Sequence, residues 1–225
     1  MNWFSKFFTS SIGQKVIMSL TGLFLILFLV VHLAGNLQLL KDDNGEAFNI
    51  YSKFMTSNPL IKFISYGLYF FILLHAIQGM ILWKNNRAAK GGKYAVQSKE
   101  STWSSRNMGM LGVLLFVFLG IHMGDFWWAM KRHQLPLVSY EGYPDIQDLY
   151  FKVNESFKEL WIVIVYIISM VALYFHLSHG FASAFQTLGI NHRKYTPIIK
   201  AIGWGYAILI PAAFAIIPIY YYFFK

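Results

Sequence analysis

The sequence predicts an all-α integral membrane protein of five transmembrane helices, with the first four forming one bundle. Three observations carry this reading. Of the 225 residues, 56% are hydrophobic and only 13% are charged, about half the roughly 25% charged share of a soluble domain. The few charges leave five uninterrupted stretches: Val16–Leu40, Phe63–Trp83, Asn107–Gly124, Leu160–Asn191 and Ala201–Phe224. Each reaches or exceeds the roughly 18–20 residues with which a helix crosses the hydrocarbon. A single membrane domain, 1–225, follows, with spans near 16–40, 61–83, 106–129, 159–190 and 199–224.

The first span opens after Lys15 and is too long for the apolar region of a cleavable signal. The second ends at Lys84, and the third starts at Arg106. The link 131–158 carries Pro136, Gly142 and Pro144 and is expected to cap one face. The fourth span follows Glu159. The fifth contains Pro211 and Pro218, which predict a kink that neighbouring groups make tolerable.

Charge sets the topology. Lys and Arg number eleven in the segments 1–15, 84–106 and 192–200, against eight on the other side, which holds nine of the ten acids. The positive-inside rule then puts the N-terminus in the cytoplasm and the C-terminus outside, the expectation for a bacterial cytoplasmic (inner) membrane. The net charge of +9 is thereby accounted for without nucleic acid. The basic face, with Lys84, Arg87, Lys90 and Lys93, also suits an acidic soluble partner.

The chemistry lies in the histidines. His32, His75, His122 and His176 fall one in each of the first four spans, where an unpartnered polar group costs several kcal/mol. Two imidazoles from facing helices can ligate one haem iron, so four suit two haems in the bundle. The chain has no cysteine, which excludes thiolate-held iron–sulfur clusters, disulfides and covalent c-type haem.

Depth sorts the four into layers. At a rise of about 1.5 Å per residue, His32 lies about 25 Å and His122 about 24 Å from the inner edge, and His75 about 13 Å. His176 falls in the inner half, so His32 pairs with His122 and His75 with His176. His179, one turn past His176, is an alternative inner ligand that spacing hardly separates from it. His133 and His192 fall in loops. Gly79 and Gly180 follow a candidate ligand by four residues, and Gly35 follows His32 by three, on the same helix faces. Glycine there would let a flat macrocycle approach the backbone, although small residues pack membrane helices in any case.

At these residues the chain resembles the dihaem cytochrome b anchor of succinate:quinone oxidoreductases, the succinate dehydrogenases and fumarate reductases. The likeness covers nearly the whole chain: Ser11-Ile-Gly-Gln-Lys15 through Thr21-Gly22 to His32-Leu-Ala-Gly-Asn36, and His176-Leu-Ser-His-Gly180, which is similar to the family's H-x-x-N-G segment. That resemblance implies His176 as the ligand, with His179 beside a propionate or the porphyrin edge. It implies a respiratory-chain and tricarboxylic-acid-cycle complex with a flavoprotein subunit and an iron–sulfur subunit. The dicarboxylate chemistry would lie on those partners, and electrons would pass through two haem b groups to menaquinone or another quinone. A higher oligomer of the complex is compatible with this. Lys15, Arg106 and Arg193 are candidate counter-charges for propionates.

A quinone site needs a proton donor near a haem. Asn36, Gln38, Glu46 and Asp125 lie toward the outer ends of the spans, and Asp125 is one turn beyond His122, so the outer layer is favoured. Competing readings are another dihaem b-type cytochrome (a nitrate-reductase-type anchor or b561-like protein) and a transporter relaying protons through histidines. The transporter would call for intramembrane carboxylates, and only Asp125 lies near a span.

Overall fold

The computed structural model describes residues 2–89 and 102–225, and within them five helices are long and apolar enough to cross a membrane. The short α1 (Trp3–Thr9) turns at Ser10, whose hydroxyl accepts from Gly13 N (3.0 Å) and so caps α2 (Ser11–Asn36). The first span, α2, closes in a 3-10 turn at Leu37–Leu40. After α3 (Glu46–Ser57), Asn58 accepts from Leu60 N (3.0 Å) and starts α4 (Pro59–Ala89), where proline occupies the first turn it tolerates. Thr102 caps α5 (Trp103–His122) by accepting from Ser105 N (3.2 Å). That helix runs on through a π-helical turn, Met123–Trp127, into α6 (Trp128–Lys131). A β-hairpin follows, β1 (Leu137–Tyr140) paired antiparallel with β2 (Tyr143–Gln147), then α7 (Leu149–Phe157), α8 (Leu160–Thr187) and α9 (Thr196–Phe224).

The protein is therefore an all-α membrane protein, with one small hairpin that the sequence reading did not anticipate. The helices overrun the apolar stretches by several residues, as at Ser11 and Pro59, because helix geometry continues into the polar boundary until a cap stops it. Residues Lys90, Lys93, Lys99 and Glu100 of the basic link lie outside the described residues. The last helix continues through Pro211 and Pro218, both buried; each removes one backbone donor.

The four-helix arrangement is a ring. Neighbours α2 and α4, α4 and α5, α5 and α8, and α8 and α2 pack together, and α9 lies outside against α8 and α2. This leaves α2 facing α5 and α4 facing α8 as the diagonals. On α4 the exposed residues Phe63, Tyr66, Phe70, Leu73, Ile77 and Met80 recur at three- and four-residue spacing, an apolar stripe of the kind that lipid covers.

Tight packing concentrates at one end. Leu39, Phe48, Val153, Phe157, Ile162, Val163, Tyr166, Ile217 and Tyr221 form a buried cluster beneath a cap made of α3, the hairpin and α7. Asn49 fastens this cap. It is 1% exposed, donates to Tyr140 Oη (3.0 Å) and Asp148 Oδ1 (2.8 Å), and accepts from Tyr150 N (3.0 Å). Gly45, at φ 84°, enters α3 in a left-handed conformation, and a Cβ there would collide with the Tyr150 ring.

Candidate functional site

Both diagonals of the ring carry a pair of imidazoles. Toward the cap, His32 of α2 and His122 of α5 have ring centroids 5.7 Å apart at an interplanar angle of 86°. Farther along the axis, His75 of α4 and His176 of α8 stand 6.2 Å apart at 68°. Each pair thus joins two helices that are not packing neighbours, and so reaches across the bundle. His176, rather than His179, stands opposite His75. His133 and His192 are exposed in loops.

Two helices give the separation of the layers independently. Tyr166 touches the cap-end pair and lies ten residues before His176 on α8, about 15 Å along the axis. Thr21 touches the other pair and lies eleven residues before His32 on α2, about 16 Å. The agreement makes the pairs two levels of one stack.

The surroundings of the four rings differ. His32 lies between Phe28 (5.1 Å, stacked) and Phe214 of α9 (5.6 Å). His122 is ringed by Phe118, Phe126 and Tyr166. Tyr166 Oη lies 3.0 Å from His122 Nδ1, and Thr21 Oγ1 lies 3.1 Å from His75 Nδ1. His176 Nδ1 is buried without a hydrogen-bond partner among the described residues, as is Oε1 of Gln78, one turn from His75.

This donor set fits a haem. Metal–imidazole bonds of about 2.0–2.1 Å plus two ring half-widths place bis-imidazole centroids about 6 Å apart, close to both observed separations. Among the described residues no three His, Asp or Glu side chains converge as a bare metal ion would need; a macrocycle brings its own equatorial nitrogens, so two imidazoles suffice. The glycines divide. A Cβ on Gly79 or Gly180 would meet only the terminal methyl of Met18 (3.3 Å) or Met108 (3.9 Å), flexible groups that can give way. Gly35 does not face the pairs: it packs on the ring of Tyr51, where a Cβ would collide, so its smallness seats α3 on α2.

The candidate counter-charges are all exposed, at the end away from the cap. The bond between Ser104 and Ser178 (3.3 Å) sets the antiparallel register of α5 and α8 and puts Arg106 level with His176. Lys15 lies six residues before Thr21, about 9 Å away along α2, and Arg193 lies beyond the end of α8. Near the cap, Asn36 Nδ2 donates to the His32 carbonyl (2.8 Å). Asp125 sits in the π turn directly after His122, a feature frequent at functional sites. Its Oδ1 pairs with Lys152 of α7 (2.5 Å), and its Oδ2 is buried without a partner among the described residues. Glu46 is exposed in the first turn of α3, and Gln38 accepts from Lys41 (3.5 Å); among the described residues neither is hydrogen-bonded to the paired histidines.

Sequence reasoning missed Thr21 and Tyr166 as imidazole partners and Lys152 as the partner of Asp125. Nothing local marks them, since each acts on a residue at least 27 positions away on another element. Set against protein-family models, curated proteins and solved structures, the chain matches none.

Proposed function

We propose that this chain is the membrane anchor and electron-carrying subunit of a succinate:quinone oxidoreductase, with His32 and His122 as axial ligands of one b haem and His75 and His176 of the other. The observation that carries the reading is the pair of imidazoles on each diagonal of the ring, about 6 Å apart and at two levels. When bound, haem supplies a one-electron centre at each level. The chain's own residues hold the imidazoles, exclude water through the Phe28, Phe118, Phe126 and Phe214 rings, and separate the two levels by about 15 Å. His176-Leu-Ser-His-Gly180 and the one-histidine-per-span pattern support this particular family over other dihaem cytochromes.

The cap end is then the outer face and the basic end the cytoplasmic one, as the distribution of Lys and Arg favours. On the cytoplasmic side Lys84, Arg87 and Arg106 would meet the iron–sulfur and flavoprotein partners and the haem propionates. At the outer face Asp125, with one oxygen on Lys152 and one without a partner among the described residues, is the best-placed carboxylate to relay a proton to a quinone. The test is a reduced-minus-oxidised spectrum with a haem-to-chain ratio on protein purified with its partners. Two low-spin b haems per chain and co-purifying flavin and iron–sulfur subunits are expected; one haem or none overturns the reading.

A further inference from the structure

Each imidazole pair is asymmetric in the same way. One ring is hydrogen-bonded at Nδ1 by a residue from a packing neighbour of its own helix: His122 of α5 by Tyr166 of α8, and His75 of α4 by Thr21 of α2. The opposite ring has no such partner. Asn36 Nδ2 lies 3.4 and 3.5 Å from the two nitrogens of His32 and so selects neither. His176 Nδ1 has no partner among the described residues.

The direction of one bond follows from proton count. The Thr21 hydroxyl has a single hydrogen, and two backbone carbonyls accept it, Ile17 at 2.8 Å and Met18 at 3.1 Å. The Met18 backbone is a second hydrogen-bond partner of the His75 ring; with the hydroxyl hydrogen on a backbone carbonyl, Thr21 Oγ1 accepts from His75 Nδ1–H. That fixes the tautomer and leaves Nε2 with its lone pair. Tyr166 is buried among Phe118, Phe126 and Phe157, and its hydroxyl has His122 Nδ1 as its hydrogen-bond partner among the described residues. There the direction follows from the two-haem reading, since with Nε2 on iron Nδ1 would keep its hydrogen and Tyr166 Oη would accept it.

We propose that Tyr166 and Thr21 are positioning residues, each holding one imidazole of a pair in the Nδ1–H form with Nε2 left to coordinate, while His32 and His176 have no acceptor at Nδ1 among the described residues. The inference rests on the two-haem reading. Its consequence is electronic as well as steric. An acceptor at Nδ1 raises the basicity of a ligating imidazole and so favours the oxidised iron. Losing it should raise the midpoint potential of that haem and not of the other.

The test is a spectroelectrochemical titration of the purified complex in wild-type, Tyr166→Phe and Thr21→Val forms, with the haem bands assigned from His32→Ala. Tyr206→Phe is the control, because its hydroxyl donates to the Ile26 carbonyl (2.6 Å) and touches neither pair. For a net hydrogen bond of about 1 kcal/mol, each variant should shift the reduced-to-oxidised ratio about fivefold at fixed potential. Tyr166→Phe should act on the cap-end haem alone and Thr21→Val on the other alone. Thr21→Ser, which restores the acceptor, should return the wild-type value. Unmoved potentials, a shift of the wrong haem, an equal shift in the control, or loss of both haems from either variant would overturn the assignment. Wild-type protein without haem would remove the parent reading too, whereas two haems with unmoved potentials would remove only this inference.

Discussion

Asn49 offers the sharpest test of how the cap is held. Its side chain makes three hydrogen bonds: from Nδ2 to the Tyr140 phenol and to the Asp148 carboxylate, and to Oδ1 from the Tyr150 backbone. With about 1 kcal/mol for each neutral bond and 1.5–3 for the one to a carboxylate, the gross value is about 4 kcal/mol. Asp148 keeps its bond from Phe151 N (2.9 Å), and Tyr140 can turn to water, so an Asn49→Leu exchange of similar shape should cost about 3 kcal/mol. For a chain of this size that corresponds to a fall in melting midpoint of roughly 6–12 °C. Asn49→Asp should cost more, because it places a second carboxylate against Asp148 and removes both donors. Since the cap closes over His32 and His122, its loosening should release the cap-end haem before the other. The assay is detergent-phase thermal unfolding followed by tryptophan emission, with haem content read in parallel. Asn58→Ala, which removes only an exposed helix cap, should lower the midpoint far less. If Asn49→Leu melts within a degree or two of wild type, the three bonds do not hold the cap as described.

Further outcomes follow from other sites. His32→Ala or His122→Ala should lose the cap-end haem and spare part of the other, and His75→Ala or His176→Ala the reverse, as read by difference spectra; His179→Ala should retain both. Arg106→Gln, level with His176, should weaken haem retention at that level more than Arg193→Gln, measured as haem lost on gel filtration; equal retention would refute the register argument. Asp125→Asn should reduce quinone-linked turnover several-fold while dye-linked succinate oxidation stays intact, and Glu46→Gln, on an exposed turn, should change neither. Gly35→Leu should unseat α3 from α2 and lower the melting midpoint, whereas Gly180→Ala, facing only the Met108 methyl, should cost about 1 kcal/mol or less.

The membrane class, the five spans and the two histidine levels were all legible in the sequence, because each depends on one dimension. Hydropathy is summed along the chain, and helical rise converts residue number into depth, so counting paired His32 with His122 and narrowed the partner of His75 to His176 or His179, between which the resemblance chose. What counting could not supply was azimuth. Which helices are neighbours and which are diagonal depends on how the ring closes, and so does the contact of Tyr166 with His122 across 44 residues or of Thr21 with His75 across 54. Gly35 shows the same limit: helix spacing puts it on the face of His32, yet α3 folds back and presents Tyr51 to it. The π turn after His122 was equally invisible, since one widened turn re-aims Asp125 toward Lys152 without any compositional mark. Sequence by itself determined which residues share a depth in the membrane, because that is fixed by the local geometry of a single helix. Only the tertiary structure decided which of them face one another, because that is set by packing between helices far apart in the chain.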